Sequence, residues 1–421
     1  MAPSLTSIRT QLAIVGGGPA GMMLGLLIAR AGVDVVVLEK HGNFLRDFRG
    51  DTVHPSTLQV MHELGLLDEF LKRPHQQLRE LSGVIGGVPV KLADFSHLPS
   101  HCRFVALMPQ WDFLDFLAVN ATRYANFRLF MEAEATQLIE DAGHIAGVVA
   151  ETPQGRLELV ADLVVGCDGR HSLMREQGRL PLTEFGVPID VLWMKLSKSP
   201  EDSSTTLGRI AAGLIFVTLD RGDYWQCALV IAKGGAEALR AQGIESFRRS
   251  IVKVAPSFAN RVGELQDWDQ IKLLTVKVNR LREWCRPGLL CIGDAAHAMS
   301  PIGGIGINLA IQDAVATANL LAHSLAGGAR PSHTDLKRVQ QRREFPTKMT
   351  QRLQMAVQNN VMTRMLALKE NPKPPFAVKL LNRFPILRRI PARVVGIGFR
   401  PEHVRSPIGA EPMAAESIAA E

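Results

Sequence analysis

Residues 11–40 read QLAIVGGGPAGMMLGLLIARAGVDVVVLEK, and this stretch decides the fold. Gln11 to Val15 is a short apolar run that reads as a buried parallel strand. Gly16-Gly17-Gly18-Pro19-Ala20-Gly21 follows and fits GxGxxG, with Gly16, Gly18 and Gly21 at the glycine positions. Met22 to Ala31 predicts an apolar helix, and Val33 to Leu38 a second buried strand ending in Glu39. That is a complete βαβ unit in about 30 residues. Gly16 permits the tight turn. Gly18 lets a pyrophosphate approach the backbone, and Gly21 lets the helix pack on the strands. The helix start offers free N–H groups and partial positive charge to phosphates. A carboxylate at Glu39 suits ribose hydroxyls and would repel a 2′-phosphate. The turn by itself does not separate NAD from FAD.

The wider composition fits this reading. The chain has 421 residues, 46% hydrophobic and 21% charged, which excludes a disordered polypeptide and makes two domains the expectation. With 48 Lys+Arg against 41 Asp+Glu, the net charge of +7 suits an anionic ligand without demanding nucleic acid. Five cysteines, Cys102, Cys167, Cys227, Cys285 and Cys291, form no CxxC and no zinc-finger spacing. They argue against a disulfide framework or structural zinc and for a reducing, cytoplasmic setting. Met1 to Thr10 lacks the apolar run of a signal peptide. Leu12 to Leu38 is almost uncharged, but its glycines, Arg30 and Asp34 make it strand, turn, helix and strand rather than a membrane span. No HExxH or similar set points to a metal, and Ser172 has no evident His–Asp partners.

Two further segments repeat the strand-then-turn layout. Leu163 to Gly166 is an apolar strand followed by Cys167-Asp168-Gly169-Arg170-His171-Ser172. Leu289 to Ile292 is another, followed by Gly293-Asp294-Ala295-Ala296-His297. Pro301-Ile302-Gly303-Gly304-Ile305-Gly306-Ile307-Asn308 then opens onto a helical pattern from Leu309 to about Leu325. His297 reads as structural rather than catalytic.

In this order, GGGPAG, CDGRHS and GDAAHAMSPIGGIGIN resemble the single-component (group A) FAD-dependent monooxygenases of the para-hydroxybenzoate hydroxylase fold, from about Gln11 to about Arg343. The resemblance implies an α/β protein. Its Rossmann-like (GR2-type) FAD-binding domain is interleaved with an antiparallel-sheet substrate domain, and a C-terminal helical segment follows. It implies FAD as cofactor, with Gly16, Gly18, Pro19, Ala20, Gly21, Glu39 and Lys40 at the adenosine diphosphate end. Arg49 would contact the pyrophosphate and Gln110 would lie near the ribityl chain and flavin. Gly293 and Asp294 would hold the ribityl chain, and Asp168 with Gly169 would serve both FAD and nicotinamide use. Gly303, Gly304, Gly306, Ile307 and Asn308 would face the flavin's pyrimidine edge, with Pro301 beside the reactive centre. Pro301, Gly303, Gly306 and Asn308 are therefore the catalytic candidates. Backbone N–H groups of this loop would stabilise the anionic reduced flavin by about 0.3–2 kcal/mol from the helix dipole alone.

The implied reaction uses NADH or NADPH as transient co-substrate, since no second GxGxxG stands in mid-chain. Oxygen then forms a flavin C4a-hydroperoxide that hydroxylates a small phenol- or quinone-like substrate. Epoxidation or reduction of an apolar lipid-like substrate and a flavin redox sensor without turnover are the alternatives. A halogenase is disfavoured because no WxWxIP occurs.

The expected division is 1–77, 99–180 and 279–350 for the FAD domain and 181–278, with a hairpin at 78–98, for the substrate domain. Residues 351–421 would be a basic helical tail. Strands are predicted at Val191 to Leu196, Leu214 to Leu219, Trp225 to Ile231 and Ile271 to Val278, with a helix at Ile244 to Ala255. Trp193, Phe216 and Trp225, with Met194, are the candidates for an apolar substrate pocket. Tyr224, His54 and Arg221 are candidates for the base that ionises a phenol. The tail mixes apolar and basic residues from Phe376 to Phe399 and admits peripheral membrane contact. Nothing in the sequence sets the oligomeric state.

Overall fold

The apolar run Leu12 to Val15, which ends the first strand, has no polar face to offer water, so it must be covered on both sides. In the computed structural model, which describes residues 6–45, 52–202 and 207–413, it lies in the strand Thr6–Val15 inside an eight-stranded sheet. Five strands run parallel in the order Leu289–Cys291, Gly155–Gly166, Thr6–Val15, Val35–Leu38, Phe127–Phe130. Cys285–Arg286 closes one edge, and the hairpin Glu134–Asp141 with His144–Thr152 extends the outer half of Gly155–Gly166.

One face of this sheet is covered by Pro19–Arg30, which has Pro19 in its first turn, where the missing N–H costs nothing. Gly306–Ala326 packs against it, and Met22, Leu26, Ala314 and Ala318 share one core. The small residues of the second helix let the two approach closely. By length and composition the segment Ile302–Ala326 could cross a membrane, but 78% of its most apolar window is buried inside the protein, so it is a core helix.

A second sheet of seven strands lies apart from the first. Its order is Lys272–Leu274, Ile189–Ser197, Tyr224–Ala232, Leu214–Asp220, Leu207–Ala211, Glu80–Ile85, Val88–Asp94. The hairpin expected near residues 78–92 supplies its last two strands, from a distant part of the chain. Because no hairpin turn fixes its direction, Glu80–Ile85 meets Leu207–Ala211 in parallel, so the sheet is mixed where an antiparallel one was expected. The strand expected over Ile271–Val278 is also two pieces. Lys272–Leu274 edges this sheet, whereas Val278–Leu281 pairs with Leu182–Phe185. Between them the Val276 N–H is drawn to Asp190 Oδ1 (2.9 Å), which ends the first ladder.

The helix Ile244–Val254 packs Phe247, Ile251 and Val254 onto one face of the seven-stranded sheet. Beyond the sheets, the helix His333–Val357 begins at a capping box, in which Ser332 Oγ accepts from the Asp335 N–H and Asp335 accepts in return from the Ser332 N–H. It runs through residue 350, so residues 351–357 continue the preceding helix rather than opening a tail. Short helices Phe376–Arg383 and Arg389–Gly396 follow, then an extended segment to residue 413.

Candidate active site

Parallel pairing decides where the turns lie. Val15 stands opposite Gly166 and Leu38, Gly166 opposite Cys291, and Leu38 opposite Phe130. Five strands therefore end in register at one edge, and the residues after four of them form a row: Gly16–Gly21, Cys167–Gly169, Gly293–Asp294 and Glu39. Crossing bonds hold the row, from Gly16 N to Leu38 O (2.8 Å), Cys167 N to Val15 O (2.7 Å) and Ile292 N to Gly166 O (3.0 Å). Thr6–Val15 has neighbours reached in opposite directions, so the row sits at the point where the strand order reverses. This is where ligands settle in open α/β sheets.

The glycines of the first turn have different reasons. Gly16 has φ +105°, and a Cβ there would lie 2.5 Å from the Cys167 carbonyl oxygen. A Cβ on Gly21 would lie 2.0 Å from the Gly16 oxygen. Both are required by the protein itself. Gly18 is different, since a Cβ there meets nothing within 4 Å. Its glycine leaves open space ahead of the helix start, where Pro19 and Ala20 sit. A Cβ on Gly293 would lie 3.2 Å from the Ala20 Cβ, so the first and third turns lie close together.

Glu39 is buried at 8% exposure, and its Oε2 accepts from the Gly17 N–H (3.0 Å) while Oε1 accepts from the His41 N–H (3.1 Å). Lys40 beside it is exposed. Asp294 is half-buried, and its carboxylate makes no hydrogen bond or ion pair among the described residues. The same holds for the side chain of Gln110, which begins the helix Gln110–Ala121. An unpartnered carboxylate beside an open glycine turn fits a polar ligand with hydroxyl and phosphate groups. Arg49 lies outside the described residues.

Asp168 uses its carboxylate locally. It accepts from Ser172 Oγ (2.5 Å) and from the Met174 N–H (3.0 Å), at the start of Leu173–Gln177. Burial pushes its carboxyl up, against those hydrogen bonds. Gly169, with φ +83° and nothing near an added Cβ, carries the open part of that turn. Arg175, which the sequence reading did not single out, donates to the Ala295 and Arg170 carbonyls and ties the second turn to the third.

The glycine loop is held from the side. Asn308 is buried and fully engaged. Its Oδ1 accepts from the His54 N–H and Thr57 Oγ1 (both 2.8 Å), and its Nδ2 donates to the Thr52 and Gly304 carbonyls (both 3.2 Å). Its side chain is thus a positioning group for the loop. Gly304 has φ +62°, with Thr52 Oγ1 2.1 Å from where a Cβ would sit. Pro301, Gly306 and Ile307 are half-buried and Gly303 is exposed. Ile302 packs on the face of the seven-stranded sheet that carries Ile189, Val191, Ile215, Ala228 and Val230.

That contact sorts the expected pocket residues. Trp193 is on the face that meets Ile302. Met194, Phe216 and Trp225 are not. They point to the opposite face, in the core with Phe247 and Phe258. Trp225 lines a cavity of about 660 Å³ there with Arg209, Phe258 and Arg388. The reason is the two-residue period of a strand, which puts Met194 opposite to Trp193.

His54, by contrast, lies beside the glycine loop. It is 1% exposed, and its Nδ1 is 2.7 Å from the Val395 carbonyl, so Nδ1 carries the proton and Nε2 the lone pair. Burial lowers its pKa to about 4, outweighing the Val395 bond, so it is neutral near pH 7. Beneath the third turn is a charge network with no counterpart in the sequence reading. Asp313 is wholly buried and accepts from His297 Nε2 (2.5 Å), Arg343 Nε (2.9 Å) and the Gly293 N–H (3.1 Å). Arg343 also faces Glu402 (3.5 Å). The available signal was Asp313 itself, the one acid in the helix Gly306–Ala326.

A row of turns at the carboxyl edge of a parallel sheet, with a glycine loop held opposite a second sheet, defines a dinucleotide-cofactor protein of two interleaved sheets. The chain belongs to the family described as FAD binding domain, whose model matches residues 9–353. It is 30% identical over 396 residues to the 6-methylpretetramide 4-monooxygenase of Streptomyces rimosus, covering 93% of each chain. It is 24% identical over 345 residues to the para-nitrophenol 4-monooxygenase of a Pseudomonas species, covering 79% of this chain and 82% of that one. Its fold matches a probable FAD-dependent monooxygenase from Pseudomonas aeruginosa at a TM-score of 0.73 and 23% identity, over 86% of this chain and 99% of that one. The protein is an FAD-dependent oxidoreductase.

Proposed function

We propose that this enzyme hydroxylates an aromatic, phenol- or quinone-like substrate, using NADH or NADPH and O2. The observation that carries the reading is the alignment of strand ends, which sets the Gly16–Gly21 turn, Cys167–Gly169, Gly293–Asp294 and Glu39 in one row, with open space at Gly18. The relatives named as monooxygenases, one of them acting on para-nitrophenol, supply the reaction class.

In this reading the bound flavin supplies hydride acceptance and oxygen activation. The protein's own groups position and tune it. The helix start at Pro19 would meet the pyrophosphate across Gly18, and Glu39 would accept from the adenosine ribose. Asp294 and Gln110 would receive the ribityl hydroxyls. Backbone N–H groups at the start of Gly306–Ala326 would stabilise the charge the ring gains on reduction, and Asn308 holds that loop in place. Trp193 and its apolar neighbours exclude water from the substrate side. His54, neutral and with Nδ1–H fixed on Val395, keeps its Nε2 lone pair as a hydrogen-bond acceptor beside the loop.

The test is direct. Purified protein should be yellow, and a panel of phenols and quinones should contain compounds that stimulate NAD(P)H oxidation and are recovered with one added oxygen. Protein that takes up no FAD defeats the whole reading. Flavin reduction without substrate-stimulated turnover on any aromatic defeats the hydroxylase assignment while leaving the flavin site standing.

A further inference from the structure

The segment from Asn371 to Pro401 contains no acidic residue and seven basic ones, Lys373, Lys379, Arg383, Arg388, Arg389, Arg393 and Arg400. Its two short helices are docked on the body by one side. Ala392 and Gly396 are buried, and Ala392 and Val395 join the cluster of Phe95 and Leu98. Asn382 Oδ1 accepts from the Lys91 N–H (2.9 Å), and Arg388 folds back onto the Leu381 and Asn382 carbonyls. Packing against the protein is therefore already satisfied from that side.

The other side is apolar as well. Phe376 is 79% exposed, Leu380 37%, Phe384 49%, Ile386 64% and Ile390 63%. Phe376 and Leu380 share one face of Phe376–Arg383, Phe384 follows at its non-helical C-cap, Ile386 lies in the 3-10 turn Pro385–Arg388, and Ile390 is in the first turn of Arg389–Gly396. Between them stand exposed Lys379, Arg383, Arg389 and Arg393; Arg383 lies over the Phe384 ring (5.5 Å) and Arg389 feels the Asp94 charge, but none has a carboxylate within 4.0 Å among the described residues. Water gains nothing from such a surface. A water-facing helix puts polar groups outward, whereas here large apolar side chains alternate with cations that no carboxylate holds in an ion pair.

We propose that this face docks on an anionic lipid surface, with the five apolar side chains entering the headgroup–acyl boundary and the cations meeting lipid phosphates. Two observations favour lipid over a second copy of the chain. Pairing two such faces would bring two sets of like charges together, and the alternation of apolar and basic groups matches the boundary between acyl chains and anionic headgroups. The inference is independent of the flavin chemistry, because none of these residues belongs to the row of turns.

The experiment is co-sedimentation of full-length, FAD-loaded enzyme with phosphatidylcholine vesicles, with and without about 30 mol% phosphatidylglycerol. Binding should be at least about tenfold stronger on the anionic vesicles and should weaken with salt. Ile386→Glu with Ile390→Glu should abolish it, and so should Arg383→Gln with Arg389→Gln and Arg393→Gln, both with unchanged FAD content. The second set alters charge only, so a folding failure of the first leaves the test intact. No binding to anionic vesicles at low salt overturns the proposal, as does binding that both variant sets leave unchanged. A wild-type dimer that Ile386→Glu with Ile390→Glu converts to monomer, without vesicle binding, would assign the face to self-association instead.

Discussion

Asp313→Asn tests whether the buried charge network is what steadies the third turn. The wild-type carboxylate serves three donors, from His297, Arg343 and the Gly293 N–H, at 0% exposure. Asparagine keeps the shape but offers one acceptor oxygen and turns an N–H2 toward groups that are themselves donors. Arg343, 1% exposed, loses its close counter-ion. Breaking a buried pair by removing one partner costs about 3–5 kcal/mol, and Glu402 at 3.5 Å from Arg343 keeps the loss near the lower figure. At roughly 2 °C per kcal/mol for a chain of this size, the melting temperature should fall by about 6 °C. Because Asp313 also holds the Gly293 N–H, bound FAD should be released at lower temperature as well. The assay is flavin fluorescence during a thermal ramp, with urea unfolding as the second probe. Coupling provides the sharper check. Asp313→Asn combined with Arg343→Met should cost less than the two singles summed, by more than about 1 kcal/mol. An Asp313→Asn protein melting within about 1 °C of wild type, or an additive cycle, would refute the reasoning. The pH dependence has a definite sign. Burial opposes the Asp313 charge, but His297 and Arg343 hold its carboxyl below the ordinary value. Its contribution is therefore present above the unfolded carboxylate's pKa of about 3.9 and is lost as pH falls through the folded value.

Gly16→Ala should destabilise the protein even without FAD, since its Cβ meets the Cys167 carbonyl, whereas Gly18→Ala should leave apo-protein melting unchanged and weaken FAD binding; equal effects on the apo-protein would remove the distinction. Glu39→Gln should weaken FAD retention, measured by equilibrium dialysis, and unchanged retention would contradict the ribose assignment. Gly306→Val should lower flavin occupancy or slow flavin reduction at least about tenfold, and intact content with intact turnover would defeat the loop assignment. His54, with its pKa lowered to about 4, disfavours the folded state once pH falls below the unfolded value of about 6.5. Between pH 7.5 and 5, urea unfolding should lose about 2 kcal/mol that His54→Gln does not lose, and identical slopes would show that His54 does not titrate in this way.

The sequence by itself determined the three turns and the elements around them. GGGPAG lies between a strand and a helix because apolar runs of strand and helix length flank it, and its glycines answer constraints that are local in the chain. The hairpin before residue 94 and the helix beginning at Ile244 were legible for the same reason, since turn chemistry and periodicity act over a few residues. Tertiary structure decided what depends on register and on facing. Alternation along Ile189–Ser197 says that Trp193 and Met194 point oppositely, but only the packed molecule shows that Trp193 faces Ile302 while Met194, Phe216 and Trp225 face the helix core. The splitting of residues 271–278 followed from a bond to Asp190, 86 residues earlier. Asp313, Arg343 and Glu402 meet across 89 residues of chain (402 − 313), and their pairing is created by burial, which no local pattern encodes.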